Sequence, residues 1–475
     1  MKSIGQEGPR SGIHLSDGRE APLIEAITRY VPQALINEVL DRTGRREKRR
    51  RRLPASAVAW LVLMMALRSD LDLPAMWRQV CGVLYEMLHR LGGVSPPVKS
   101  ALSQARARLG ARPLRQLLLR TGRQAALGGG NRPYTHYKGM PLLAMDGDKY
   151  KLPDTAANAA AFGYPRTSRG KRKLKGAYPQ MHLNRLMAVG TRICIDAIIK
   201  PCSANDHIAA PALLQSALPG ELLLWDCGYY SHDLMDQACR EGKFFLGPVP
   251  SHVVLERIRD LGDGSYLAKV YATPNDRRDD RGGLLLRVIE YTLDEPARVG
   301  HGERHRLITN LLDAQMHPAM ELVVLYHQRW EIEIDNDEIT THQLDRAVEL
   351  RSRTPAGAVQ ELYAVLVAHN AVRSMLHESA MSVGVDPRQL SFLNAVRIIR
   401  ETIQTMRDAP TDQLPLLYRG MLAQIAAGRL PERDGRINPR VIKVVRPSNF
   451  PVKKPEHRNW PQPRKTFHES IVMLK

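Results

Sequence analysis

Apolar residues recur at roughly helical spacing over 23–40, a longer apolar stretch follows Pro54 over 55–67, and a further helical pattern runs through Trp77, Val80, Val83, Leu84 and Leu88. The first 130 residues therefore read as helical. Beyond Gly128 to Gly130 the pattern changes. Leu142 to Met145 leads into Asp146, residues 182–189 and 192–199 resemble adjacent strands, and Leu222 to Trp225 leads into Asp226. From about 244 to 312 the chain reads as β-rich, with strands predicted at 266–271, 284–293 and 306–311 around the charged loop PNDRRDDRGG. Helical patterns return over 318–350, 356–377 and 391–406. The predicted fold class is α/β, with a helical region over 1–130, a catalytic unit over 131–410 carrying a β-rich insertion at about 244–315, and a basic arm over 411–475.

Composition narrows the partners. The 475 residues are 43% hydrophobic and 25% charged, with 34 Gly and 32 Pro, which excludes a fibrous or low-complexity chain. No apolar run approaches the length a bilayer crossing needs. The N-terminus MKSIGQEGPRSG lacks the apolar segment of a secretory signal, and five cysteines without a C-x-x-C argue against a disulfide framework or structural zinc. A cytoplasmic, nucleoid-associated protein of bacterial type is the expectation. A net charge of +20 makes nucleic acid the leading partner class.

The densest positive run, Arg42 to Arg52, includes Arg49, Arg50, Arg51 and Arg52 and suits phosphates. The segment VKSALSQARARLG is read as a helix, helix-turn-helix-like, carrying Gln104, Arg106 and Arg108 outward. Gln and Arg are the side chains that read A and G edges in a major groove. Its alternative is an exposed helix that meets only phosphates or water. Arg166, Arg169, Lys171, Arg172, Lys173 and Lys175 form a second basic cluster, read as a DNA-facing loop.

In so basic a chain, carboxylates at the ends of apolar strands require a reason, because a buried unpaired charge is heavily penalised. Asp146 and Asp226 each follow four apolar residues, in L-L-A-M-D-G and L-L-L-W-D-C-G. In YHQRWEIEIDNDEITTHQ a continuous α-helix would place Tyr326, Arg329, Glu333 and Thr340 on one face. Three carboxylates together suit two Mg²⁺ ions, with Mn²⁺ as a substitute, for in-line phosphoryl displacement. Asp337 is the rival third carboxylate; Asp148 and Asp154 are read as turn and cap formers, His342 as a surface residue, and Trp225 and Trp330 as core.

The segments DGDKYKLPDT with Phe162-Gly163, DCGYYS, and Tyr326 to Gln343 together resemble the DDE transposases of the IS4 insertion-sequence family, marked by Y-x(2)-R-x(3)-E-x(6)-K. The resemblance spans nearly the whole chain. It implies an RNase H-like core in which Asp146, Asp226 and Glu333 are the catalytic, metal-binding set, with Tyr326 and Arg329 on the phosphate backbone near a cut end that family members process through a DNA hairpin. The implied function is cut-and-paste DNA transposition, with transposon terminal inverted repeats and target DNA as partners. Holding two ends together implies a homodimer in a synaptic complex. Thr340 stands where the signature has Lys, and Cys227 where Arg commonly follows the second Asp. Those departures frame the competing reading, an impaired or co-opted sequence-specific DNA-binding protein; a third is a nuclease without strand transfer.

Overall fold

The computed structural model describes residues 29–49, 51–68, 71–83, 97–127, 132–169, 172–344, 349–431, 441 and 451–474. Among the described residues five helices come first: α1 (Gln33–Arg42), α2 (Ala55–Leu67), α3 (Leu73–Val83), α4 (Lys99–Leu109) and α5 (Arg112–Leu127). Helix α1 begins only after Pro32; the start expected at residue 23 lies outside the described residues. Helix α2 has no polar stripe, and a helix apolar on every side is stable only inside a core. All 13 of its residues are buried.

The chain then enters the sheet through β1 (His136–Tyr137) and β2 (Met140–Lys151). Helix α6 (Ala156–Phe162), the hairpin β3 (Arg166–Arg169) and β4 (Arg172–Lys175), and strands β5 (Gln180–Ala188) and β6 (Ile193–Pro201) follow. Helix α7 (Ala210–Leu214), β7 (Leu222–Trp225), α8 (His232–Arg240) and β8 (Phe244–Pro248) complete the core. The central strand order is β6-β5-β2-β7-β8. Strands β2, β5 and β6 form an antiparallel meander, whereas β7 and β8 join in parallel to β2 and to each other. Leu142 to Met145 and all of β7 are buried, as expected of parallel strands covered on both faces.

Strands β9 (Arg257–Asp260), β10 (Ser265–Val270), β11 (Leu284–Leu293) and β12 (His305–Thr309), with the short helix α9 (Pro274–Arg278), continue that same sheet beyond β8 in the order β12-β11-β10-β9. The segment read as an inserted sheet thus joins the main one edge to edge, and β8 is itself a parallel core strand.

The single helix expected over 318–350 is broken. Helix α10 (Ala319–His327) passes through a 3₁₀ turn at Gln328–Trp330 into α11 (Glu331–Asp337) and then a π-helical stretch at Glu338–Leu344. Helices α12 (Pro355–Ser382), α13 (Phe392–Asp408) and α14 (Leu414–Ala427) follow. Thr354 caps α12 by accepting the Gly357 N–H, with Pro355 preset at the first helical position.

One hydrophobic core contains α2, residues of α1, α4 and α5, the outer end of β2, and α12 to α14. The boundary expected near 130 therefore divides no core: α2 is buried against helices from the far end of the chain. The arm expected from 411 begins with α14, which packs on α12 and α13. The chain's end returns as α15 (Phe467–Ser470) and β13 (Ile471–Met473), the latter pairing with β11. Among the described residues no helix is long and apolar enough to cross a membrane.

Candidate active site

Met145 and Trp225 are the last register partners of the parallel pair β2·β7, so Asp146 and Asp226, each the next residue, emerge side by side where that pairing stops. Strand β7 ends at Trp225, whereas β2 continues to Lys151 against β5, so Asp146, expected at a strand end, lies within its strand. Clefts beyond the carboxyl ends of neighbouring parallel strands are the usual ligand position in α/β sheets. Asp146 Oδ1 accepts the Gly147 N–H at 2.9 Å and Asp226 Oδ1 accepts the Gly228 N–H at 2.7 Å, fixing both carboxylates by local backbone.

The third carboxylate comes from α11. Tyr326, near the end of α10, donates its hydroxyl to the Trp225 carbonyl at 3.2 Å, tying the helix to the end of β7. Arg329, in the 3₁₀ turn, donates to Glu333 Oε1 at 3.2 Å and lies 3.7 Å from Asp146 Oδ2. One guanidinium thus bridges the first and third acids, while Asp226 adds to the field on it. Burial raises the Asp146 carboxyl; Arg329 and the Gly147 N–H lower it, Asp226 and Glu333 raise it further, and it settles at about 7. Once Asp146 is ionised, three carboxylates share one half-buried cation, a local charge near −2, which suits hard divalent ions bound through oxygen.

Asp337 is turned away, accepting from Thr341 Oγ1 at 2.6 Å with His342 Nε2 at 3.6 Å. Asp154 accepts from the Tyr164 hydroxyl and Asp148 from the Lys149 N–H, but neither is the turn or cap former expected: Asp148 lies within β2, and Thr155 caps α6. Trp225 is core and stacks on Phe245 with centroids 4.8 Å apart. Trp330, expected in the core, is 42% exposed beside Arg329. Thr340 lies in the π-helical stretch, where the seven-residue α-helical register from Glu333 is lost, and its hydroxyl donates to the Asn336 carbonyl at 2.8 Å. Cys227 is exposed.

Gln104 and Arg108 are exposed on α4, as are Arg49, Arg51 and Arg52 before α2; Arg50 and Lys171 lie outside the described residues, as do the side chains of Arg172 and Lys173. Arg106 corrects the sequence reading. Leu102, Ala105 and Leu109 form the buried stripe of α4, and Arg106 borders it. Its guanidinium donates to Gln360 Oε1 at 3.0 Å, Ser352 Oγ at 2.9 Å and the Gly357 carbonyl at 3.3 Å. Arg106→Ala should therefore lower stability by about 1–3 kcal/mol, through the buried acceptors it strands, and leave discrimination among DNA sequences unchanged. Chemical denaturation beside a DNA competition assay checks this; lost discrimination at full stability would restore the base-reading role.

Sequence reasoning missed two groups around the acids. Asp206 and His182, with Asp206 Oδ1 to His182 Nε2 at 2.9 Å, pack against Gly147. A Cβ on Gly147 would sit 2.1 Å from Asp206 Oδ1 and 2.5 Å from His182 Nε2. Gly147→Ala must push that pair away or displace Asp146, so DNA cleavage should fall about 10²-fold. A single-turnover rate within twofold of wild type would refute this.

The second group is buried behind α11. Asp335, Glu338 and His369 bring ligand atoms within 4.8 Å of one another. Yet Arg185 pairs with Asp335, Arg192 with Glu331 and Glu338, and Arg373 with Glu338. Three guanidiniums balance three carboxylates, so a dication there would leave an uncompensated double charge in a dry interior. This cluster is an ion network whose charges are already balanced.

The mixed sheet of order β6-β5-β2-β7-β8, behind a helical N-terminal region, fits one class, an RNase H-like core of the DDE type. Residues 137–371 match the family described as transposase DDE domain, and residues 23–118 match the insertion element 4 transposase N-terminal family. Transposase InsG for insertion sequence element IS4, from Escherichia coli (strain K12), is 32% identical over 433 residues, covering 89% of this chain and 92% of that protein. A solved piggyBac transposase synaptic complex with hairpin DNA aligns over 85% of each chain at 14% identity and a TM-score of 0.42, a weak likeness. The chain belongs to the IS4 family of DDE transposases. It is a DNA transposase, and its DDE domain implies use of a divalent metal. The reading as a co-opted DNA-binding protein is not favoured.

Proposed function

We propose that Asp146, Asp226 and Glu333 are the catalytic carboxylates, that they hold two Mg²⁺ ions, and that the enzyme cuts transposon ends and joins them to target DNA. The observation carrying this is that the end of the β2·β7 parallel pairing and the start of α11 bring three carboxylates around Arg329. When bound, the two ions supply activation of the attacking hydroxyl and neutralisation of the leaving 3′ oxygen. The chain's own residues set the geometry: the Gly147 and Gly228 N–H groups hold two carboxylates, and Arg329 holds the third against the first. Water attacks first to free a 3′ hydroxyl, which then attacks the other strand or the target. Basic side chains on α4, before α2 and on the β3–β4 hairpin grip phosphates, and strands β9 to β12 are an insertion between the second Asp and the Glu. Two ends held at once call for a homodimer. Incubation with a duplex carrying the element's terminal repeat should give Mg²⁺-dependent nicking at the repeat boundary; absence of nicking with Mg²⁺ and Mn²⁺ would overturn the reading.

The Asp146 carboxyl gives a metal-linked pH dependence. Its folded value of about 7 lies above its ordinary 3.8, so the folded state binds the extra proton, and stability falls as pH rises between the two values. A cation should cancel that loss and displace the proton. Melting curves from pH 5 to 8 should show Mg²⁺ stabilisation growing with pH and levelling off above about 7, and Asp146→Asn should flatten the trend. Mg²⁺ stabilisation that is pH-independent in the wild type would contradict this.

A further inference from the structure

Helix α11 has seven residues and lies between a 3₁₀ turn and a π-helical stretch, so side-chain anchors must fix its rotation. Arg185 on β5 is the register partner of Asp146 on β2, and residues directly opposite in an antiparallel pair project from the same face of the sheet. Its guanidinium is 1% exposed and donates through Nη1 to Asp335 and through Nη2 to Asn336, two and three residues after Glu333. Arg192 adds Glu331 at 2.8 Å and Glu338 at 2.5 Å, on either side of the same segment.

We propose that Arg185 is a positioning residue that links the strand beside Asp146 to α11 and sets the rotation at which Glu333 meets Asp146. This rests on the reading of Glu333 as a catalytic carboxylate. Side chains stand about 5–6 Å from a helix axis, so a rotation of about 20° moves a carboxylate by about 2 Å. Productive sites tolerate about 0.5 Å. Mg²⁺ demands near-ideal octahedral geometry, so metal binding should register the shift before folding does. The network's even charge balance fits this role, since it holds α11 without attracting an ion of its own.

Arg185→Lys replaces a two-pronged contact with a single ammonium, and Asn336→Ala removes one prong while leaving the buried Arg185–Asp335 pair intact. Each full-length variant is bound to its terminal-repeat duplex, Mn²⁺ affinity is followed by electron paramagnetic resonance, and single-turnover nicking is measured in Mg²⁺. Arg185→Lys should weaken Mn²⁺ binding about tenfold or more and slow nicking about 10²-fold, and Asn336→Ala should shift both in the same direction by less, with DNA-end affinity unchanged. Folded variants with wild-type Mn²⁺ affinity and nicking overturn the proposal, as does lower stability with unchanged Mn²⁺ affinity. If Arg185→Lys does not fold, Asn336→Ala decides alone. Glu333→Gln, assayed alongside, separates the failures: if it still nicks, the catalytic reading has failed, and if it is inactive while both variants behave as wild type, only the positioning role has.

Discussion

Asp146→Asn, Asp226→Asn and Glu333→Gln should each lower transposon-end nicking by about 10³-fold or more and leave binding to the end largely intact, because all three carboxylates would serve one pair of ions. The losses should not add: a double variant should be no slower than the slower single. Charge explains why binding survives. Removing one carboxylate from the group around Arg329 makes the site less repulsive to DNA, while the basic surfaces proposed to grip the duplex are untouched. Asp337→Ala should keep near wild-type rates, since its carboxylate faces Thr341 and His342. Nicking retained in Glu333→Gln but lost in Asp337→Ala would transfer the role.

The largest effect on stability should come from Glu338→Ala. Its carboxylate accepts from Arg192 at 2.5 Å and from Arg373 at 2.8 Å, and His369 Nε2 lies 3.4 Å away. Burial raises its carboxyl, but Arg373 and Arg192 overcome that and hold it well below the usual carboxylate range. Truncation strands two buried guanidiniums, with an expected loss of about 3–5 kcal/mol. A carboxyl whose folded pKa lies below its ordinary 4.5 contributes stability above that value and loses it only as pH falls through the folded pKa. The difference between variant and wild type should therefore be constant from pH 8 to pH 5. Urea denaturation across that range tests both statements, and a loss under about 1 kcal/mol would show that water already reaches the pair.

The buried strand segments were legible because Leu142 to Met145 and Leu222 to Trp225 are uninterrupted apolar runs broken by Asp, the pattern of strands covered on both faces. Only the second Asp ends its strand: β2 runs on through Asp146 to Lys151 because β5 continues to pair with it. That these two strands are parallel neighbours was not in the runs themselves; it entered through the family resemblance. Arg106 was misread for a geometric reason. Gln104, Arg106 and Arg108 alternate in sequence, but on a helix alternate residues lie about 200° apart, so Gln104 and Arg108 share a face and Arg106 lies on the other side. Leu102, Ala105 and Leu109 already placed Arg106 beside the apolar stripe.

The break between α10 and α11 and the π-helical stretch carry no local signal, since EIEIDNDEIT reads well as continuous helix. They follow from tertiary demands: Glu331, Asp335 and Glu338 all reach buried arginines on other elements. One member left a signal that the sequence reading did not use: Arg185 interrupts an apolar strand pattern, and a buried charge requires partners. Which acids supply them depends on how α11 crosses the sheet. Asp206 and His182 were invisible for a similar reason, as their role is defined by a glycine on a neighbouring strand.

The central claim is that metal binds where the β2·β7 pairing stops, beside α11, and affinity cleavage tests it without requiring DNA chemistry. With Fe²⁺ in place of Mg²⁺ and ascorbate present, the polypeptide should be cut near Asp146 and Asp226, with the cuts suppressed by excess Mg²⁺ and lost in Asp226→Asn. Cuts near His369 and Asp335, with none near Asp146 or Asp226, would place the metal in the buried ion network and contradict the account.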